Sequence, residues 1–127
     1  MTVIIPTTGE PRRLDGLRRA VASVQGQAYA DVELLVVANG GLADSAVLDA
    51  MRAIHGVSLE YLPNASLPQA IRLARQRVGT EYFCVLDDDD EYLPGALVTR
   101  AEPMMRDRGI GFVASNGYIH RGDHDRS

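Results

Sequence analysis

Apolar residues in this chain fall into two kinds of stretch that take turns. Short β-branched runs alternate with segments of helical spacing. Val3-Ile4-Ile5 opens as a buried strand, with Pro6 as its stop. Thr7 to Pro11 has loop composition. Leu14, Leu17, Val21 and Val24 then recur at helical spacing among arginines, and Gly26 closes that helix. Val32 to Val37 is a second strand, ended by Asn39-Gly40-Gly41. Val47, Leu48, Met51 and Ile54 mark a second helix with Gly56 as its C-cap. Ser58 to Leu62 is a short strand. Ser66-x-x-Gln69 has capping-box form with Pro68 in the first turn, and Leu67, Ala70, Ile71, Ala74 and Val78 carry the helix that follows. Tyr82 to Leu86 is the fourth strand. Ala96 to Arg108 is a helix that Pro103 kinks or shortens, and Ile110 to Ile119 reads as a last strand. Strand and helix alternate throughout, which predicts an α/β fold: a mostly parallel open sheet with helices on both faces. The reading is one domain over residues 1–119 and a polar, frayed tail over 120–127.

Composition narrows the possibilities. The 127 residues suffice for one domain with a real core. A net charge of −4 gives no field that attracts nucleic acid. All 13 basic residues are arginine. The lone Cys84, inside an apolar run, excludes an internal disulfide and a cysteine-based zinc site, and reads as a small buried hydrophobe. No stretch approaches the roughly 18 apolar residues of a membrane span, and the start lacks signal-peptide features. The expected location is cytoplasmic, or peripheral at the inner membrane face.

The chemistry concentrates at strand ends. Asp87 to Asp90, followed by Glu91, close the fourth apolar run. Like charges repel, and burying them is costly unless they are solvated or hold a cation. Hard divalent cations such as Mg²⁺ or Mn²⁺ bind one or two carboxylates together with substrate phosphates. Open α/β sheets bind ligands outside the carboxyl ends of their strands. Pro6-Thr7-Thr8 and Ala38-Asn39-Gly40-Gly41 occupy the equivalent places on the first two strands. Neither a G-x-G-x-x-G fingerprint nor a Walker A loop occurs. Asn39-Gly40-Gly41 reads equally as a tight turn. His120, Asp123, His124 and Asp125 form a second cluster of metal-ligating types, the histidines four apart as on one helix face. His55 reads as structural or exposed. Arg12 and Arg13 could meet phosphate, but read first as the wet face of the first helix.

Val3-Ile4-Ile5-Pro6-Thr7, Leu34 to Gly40, and Leu86-Asp87-Asp88-Asp89-Asp90 with Leu93-Pro94 together resemble the family-2 glycosyltransferases of GT-A fold, in order and over nearly the whole chain. The resemblance implies the Rossmann-like half that binds a nucleotide-diphosphate sugar, most often a UDP-sugar, for inverting transfer to an acceptor hydroxyl. It places Pro6, Thr7 and Thr8 beside the nucleobase or ribose and Asn39 at the base. Asp87-Asp88-Asp89 become the D-x-D motif. Asp89 then ligates Mg²⁺ or Mn²⁺, Asp87 approaches the metal or ribose, and Asp88 belongs to the nucleotide-sugar contacts.

The chain departs from the family in three ways. Ala38-Asn39 stand where the family usually carries an acid. Ser66 to Gln69 stand where it often has an Arg-Asn pair. A full GT-A domain is about twice this length, so the catalytic base and the acceptor, both unknown, are expected outside this chain. Self-association through uncovered apolar surface is expected. Two competitors remain: a non-catalytic or truncated nucleotide-binding or assembly module, and a Mg²⁺-dependent nucleotidyltransferase. The latter needs a glycine- and base-rich first loop that Thr7 to Arg13 only loosely supplies.

Overall fold

The computed structural model describes residues 1–29, 31–121 and 124–126. Four strands, β1 (Thr2–Thr7), β2 (Glu33–Asn39), β3 (Val57–Leu62) and β4 (Phe83–Val85), form one all-parallel sheet in the order β3-β2-β1-β4. Between them run the helices α1 (Leu14–Gln25), α2 (Ser45–Arg52) and α3 (Leu67–Arg77), and α4 (Ala96–Arg106) follows β4. The period-2 alternation of the strands sorts the core into two layers. Val3, Ile5, Leu34 and Val36 pack with Leu17, Val21 and Val24 of α1, Val47 and Met51 of α2, and Leu97 and Ala101 of α4. Ile4, Leu35 and Val37 point the other way, onto Ala70 and Ala74 of α3. The predicted parallel sheet with helices on both faces is therefore the architecture observed.

Sheet order creates the functional edge. The chain steps from β1 outward through β2 to β3, then returns to place β4 on the opposite side of β1. Such a reversal is a switch point, where the connections leave the carboxyl ends of two neighbouring strands in opposite directions and open a crevice.

Three sequence expectations are corrected. Pro6 does not stop β1; the strand runs through it to Thr7, with Pro6 in register with Val37. Its missing N–H acts on the other side. Thr2 N–H donates to Tyr82 O, and Leu86 N–H donates to Ile4 O. By alternation the next donor toward β4 would be Pro6, which has none. The β1–β4 ladder ends at Ile4–Val85, so the proline limits pairing rather than strand length. The segment 110–118 forms no strand, and its Phe112 is 81% exposed. Two glycines in that run weaken any strand there. Instead Ile119–Arg121 (β5) pairs antiparallel with His124–Arg126 (β6) in the expected frayed tail. His120 thus lies opposite Asp125, not on a helix face with His124, and Asp123 of that cluster lies outside the described residues. Pro103 sits inside α4, which ends three residues later at Arg106.

Cys84 is half-buried between the sheet and Tyr92, whose hydroxyl donates to its Sγ at 3.3 Å. Burial pushes the thiol up from its ordinary value, against the lowering effects of the Tyr92 hydrogen bond and the Arg100 charge. A raised folded-state value means that the stability contributed by the neutral thiol is intact below the ordinary thiol range. It is lost as pH rises through the raised value. Alkylation of Cys84 in the native protein at about pH 8 should therefore be at least about tenfold slower than in the urea-unfolded chain. Equal rates, followed by mass spectrometry, would refute a buried neutral thiol.

Candidate nucleotide and metal site

The crevice is built by a chain of hydrogen bonds across the carboxyl edge of the sheet. Ser66 N–H, at the start of α3, donates to Asn39 Oδ1 at 3.1 Å. Asn39 Nδ2 donates to Thr7 O at 3.0 Å. Thr7 Oγ1 donates to Asp88 Oδ2 at 2.6 Å and accepts from Gly9 N–H at 3.1 Å. Arg13 Nη1 donates to Asp88 Oδ1 at 3.2 Å and to Asp89 Oδ2 at 2.9 Å. The loops after β1, β2 and β4 and the cap of α3 are thereby one connected unit. The first two loops are also joined directly, since Asp44 N–H donates to Gly9 O at 2.9 Å. Gly9, at φ +68°, approaches Ala43 so closely that a Cβ there would lie 3.0 Å from Ala43 Cβ.

The acidic run divides by orientation. Asp88 is buried at 7% exposure, while Asp87, Asp89, Asp90 and Glu91 are exposed. A turn closed by Asp90 N–H to Asp87 O at 3.1 Å holds the run compact. Asp90 feels the crowding: desolvation first, then the charges of Asp87 and Asp89, hold its carboxyl above the usual range. Pro6, Thr7 and Asn39 are buried and Thr8 is half-buried, with Thr8 Oγ1 donating to Glu10 at 2.8 Å. The structure therefore brings Thr7, Asn39, Asp88 and Asp89 into one network and turns Thr8 toward Glu10. Asn39 has its oxygen and one amide hydrogen engaged by backbone.

The sequence reading put Arg12 and Arg13 first on the wet face of the first helix, and it did not single out Gly16, Arg19, Ser23 or Gln27 as site residues. Arg12 is exposed and pairs with Glu10, as a wet-face residue would, but Arg13 turns inward to the acidic turn. Gly16, inside α1, lies against the turn: a Cβ there would be 2.9 Å from Asp88 O. Further along α1, Arg19 Nε meets Glu91 at 2.9 Å and Ser23 Oγ accepts from Tyr92 N–H at 3.0 Å. Gln27, just beyond the helix, donates to Leu93 O and accepts from Leu97 N–H. One polar stripe of α1 thus tracks the chain from Asp88 to Leu97. The available signal was Gly16, since a glycine in a helix interior costs roughly 1 kcal/mol against alanine and usually has a packing reason.

The donor chemistry suits a hard divalent cation. Asp87 and Asp89 present carboxylate oxygens to solvent, and Mg²⁺ or Mn²⁺ takes one or two such groups and fills its shell with water and phosphate. Among the described residues no three histidine, cysteine, aspartate or glutamate side chains converge on one point. A cation placed there would find part of a coordination shell rather than a closed cage. Two concavities of about 440 and 510 Å³ lie elsewhere, on the outer surface of α3 and at the amino end of the sheet. Among the described residues no helix is long and apolar enough to cross a membrane.

The family described as glycosyl transferase family 2 matches residues 2–126. No curated protein sequence matches the chain. Among the 22 solved chains that match in structure is S. aureus TarS 1–349, with TM-score 0.69 and 18% identity over 84% of this chain. The same protein in complex with UDP gives TM-score 0.65 and 18% identity over 85% of this chain. The chain spans about a third, 32%, of the length of each of these TarS structures. At this identity the likeness establishes the α/β fold of GT-A type.

Two substitutions test the edge. Gly16→Ala should destabilise by about 1–3 kcal/mol through the clash with Asp88 O, despite a helix-propensity gain near 1 kcal/mol. A denaturant midpoint at or above that of the parent would show that the turn yields freely. Thr7→Val should cost about 1–3 kcal/mol, because Asp88 and Gly9 N–H each lose a buried partner. Thr7→Ser, which keeps the hydroxyl, should lie within about 1 kcal/mol of the parent, and equal losses in both variants would deny the hydroxyl that role.

Proposed function

The chain belongs to glycosyl transferase family 2, and we propose that it is the donor-binding part of such an enzyme, gripping a nucleotide-diphosphate sugar through Mg²⁺ or Mn²⁺. The observation that carries this reading is the network joining Thr7, Asn39, Asp88 and, through Arg13, Asp89 at the switch-point crevice, with Asp87 and Asp89 exposed to solvent at its edge. Asp89 and Asp87 would hold the cation, and Asp88 would fix the turn that presents them. Pro6, Thr7, Thr8 and Asn39 would border the nucleoside. The UDP in the TarS complex supports a uridine nucleotide as ligand. When bound, the cation supplies charge stabilisation for a leaving diphosphate. The overall reaction in this reading is inverting transfer to an acceptor hydroxyl, with base and acceptor supplied from outside these residues. The apolar side chains Phe83 and Val85, exposed on β4, would be covered by self-association. A cytoplasmic setting accords with the single thiol, kept reduced there.

A second reading has one observation in its favour. Asn39 stands where the family usually carries an acid, and its oxygen and one amide hydrogen are already engaged by Ser66 and Thr7. A module that binds a diphosphate without turnover fits that arrangement.

Calorimetric titration with UDP, other nucleoside diphosphates and nucleoside triphosphates, with and without Mn²⁺, separates these readings. The donor site predicts Mn²⁺-dependent diphosphate binding that Asp89→Ala weakens by about tenfold or more. Binding without transfer to any acceptor supports the module. Preference for triphosphates supports a nucleotidyltransferase. No metal-dependent binding of any nucleotide would sink the proposal.

A further inference from the structure

Arg13 stands between the start of α1 and the acidic turn, and it is held there by one nitrogen. Nη1 alone reaches Asp88 at 3.2 Å and Asp89 at 2.9 Å. The two partners differ in how firmly they are fixed. Asp88 is buried and anchored by Thr7 as well, while the Asp89 side chain is 64% exposed. Guanidinium groups bind carboxylates and phosphates best through two parallel N–H bonds. Here the fork is not used in that way, and Nε–H is buried without any acceptor. A buried donor with no partner marks an arrangement that a ligand oxygen can improve. A divalent cation on Asp89 would come to lie a few Å from this guanidinium, where like charges repel.

We propose that Arg13 is a resident counter-cation and positioning residue of the acidic turn. In the ligand-free protein it offsets the charge of Asp88 and Asp89. It yields Asp89 to an incoming divalent cation while keeping Asp88, and its freed N–H donors then turn to the diphosphate of the nucleotide. This rests on the donor-site reading above. The exchange is one of ion pairs only; no covalent bond changes.

Opposite effects on two ligands follow. Removing the guanidinium removes repulsion toward the metal and also removes a phosphate contact. A purely structural arginine would weaken both ligands when lost, because the turn would be misplaced.

The test measures Mn²⁺ binding alone by electron paramagnetic resonance of free Mn²⁺, then UDP binding at saturating Mn²⁺. The parent chain, Arg13→Gln and Arg13→Lys are compared, each checked for fold by circular dichroism. Arg13→Gln should bind Mn²⁺ alone about fivefold more tightly, the order expected for one unit charge a few Å away in a wet site. It should bind UDP about tenfold more weakly. Arg13→Lys keeps the charge and should stay within about twofold of the parent for Mn²⁺. If the parent binds both ligands and Arg13→Gln weakens both, this proposal falls while the donor site stands. If the parent binds neither, both fall. Should Arg13→Gln not fold, nitrogen-15 NMR of arginine side chains in the parent gives the answer directly. Mg²⁺ should shift the Arg13 signals together with the Asp89 amide, and unmoved Arg13 signals would overturn the exchange.

Discussion

A buried carboxylate must be answered, and that requirement at Asp88 organises the carboxyl edge of this domain. With its side chain only 9% exposed, Asp88 cannot rely on water. It is answered by a hydroxyl from β1 and a guanidinium from the turn before α1. Each respondent is fixed by something else. Thr7 is held by its place in the central strand and by Gly9 N–H. Arg13 ends a 3₁₀ turn that leads straight into α1. The carboxylate therefore ties the first loop to the fourth, although 81 residues separate Thr7 from Asp88.

The second organiser is α1. Its apolar residues Leu17, Val21 and Val24 face the sheet in the ordinary way. Beside that face runs a polar or small stripe: Gly16, Arg19 and Ser23, extended by Arg13 before the helix and Gln27 after it. These positions lie three or four apart, so they share one side of the helical path. They meet, in turn, the Asp88 carbonyl, Glu91, Tyr92 and Leu93. The segment between β4 and α4 has no regular structure of its own and borrows its path from this stripe. Pro6 contributes from the other side, by ending the β1–β4 ladder so that the chain can leave the sheet there.

What was legible in the sequence follows from this division. Val3-Ile4-Ile5, Leu34 to Val37 and the Leu17-Val21-Val24 series are apolar, periodic and local, and apolar periodicity is what a sequence displays most openly. Ser66 was legible as a cap because capping is a contact within four residues, and Gln69 N–H does point at its hydroxyl. The acidic run was legible as a site because charge at a strand end needs a reason. The partners of that run were not. Arg13 and Arg12 are adjacent and chemically identical, yet one faces Asp88 and the other Glu10. Only the approach of a distant strand distinguishes them. The segment 110–118 failed in the opposite way: Ile110, Phe112 and Val113 suggest a strand, but Gly111 and Gly117 weaken it, and among the described residues it pairs with no strand.

Asn39 carries a consequence for what its position can hold. Its amide donates to Thr7 O and its carbonyl accepts from Ser66 N–H. An aspartate here could still accept from Ser66. It could not donate to Thr7 O, and it would set a carboxylate against that carbonyl, one bond-chain away from Asp88. The amide is therefore the form that satisfies both contacts. Replacing it by aspartate would leave Thr7 O without its donor. The side chain at position 39 and the acidic turn are thus coupled through Thr7, which takes a bond from one and gives a bond to the other.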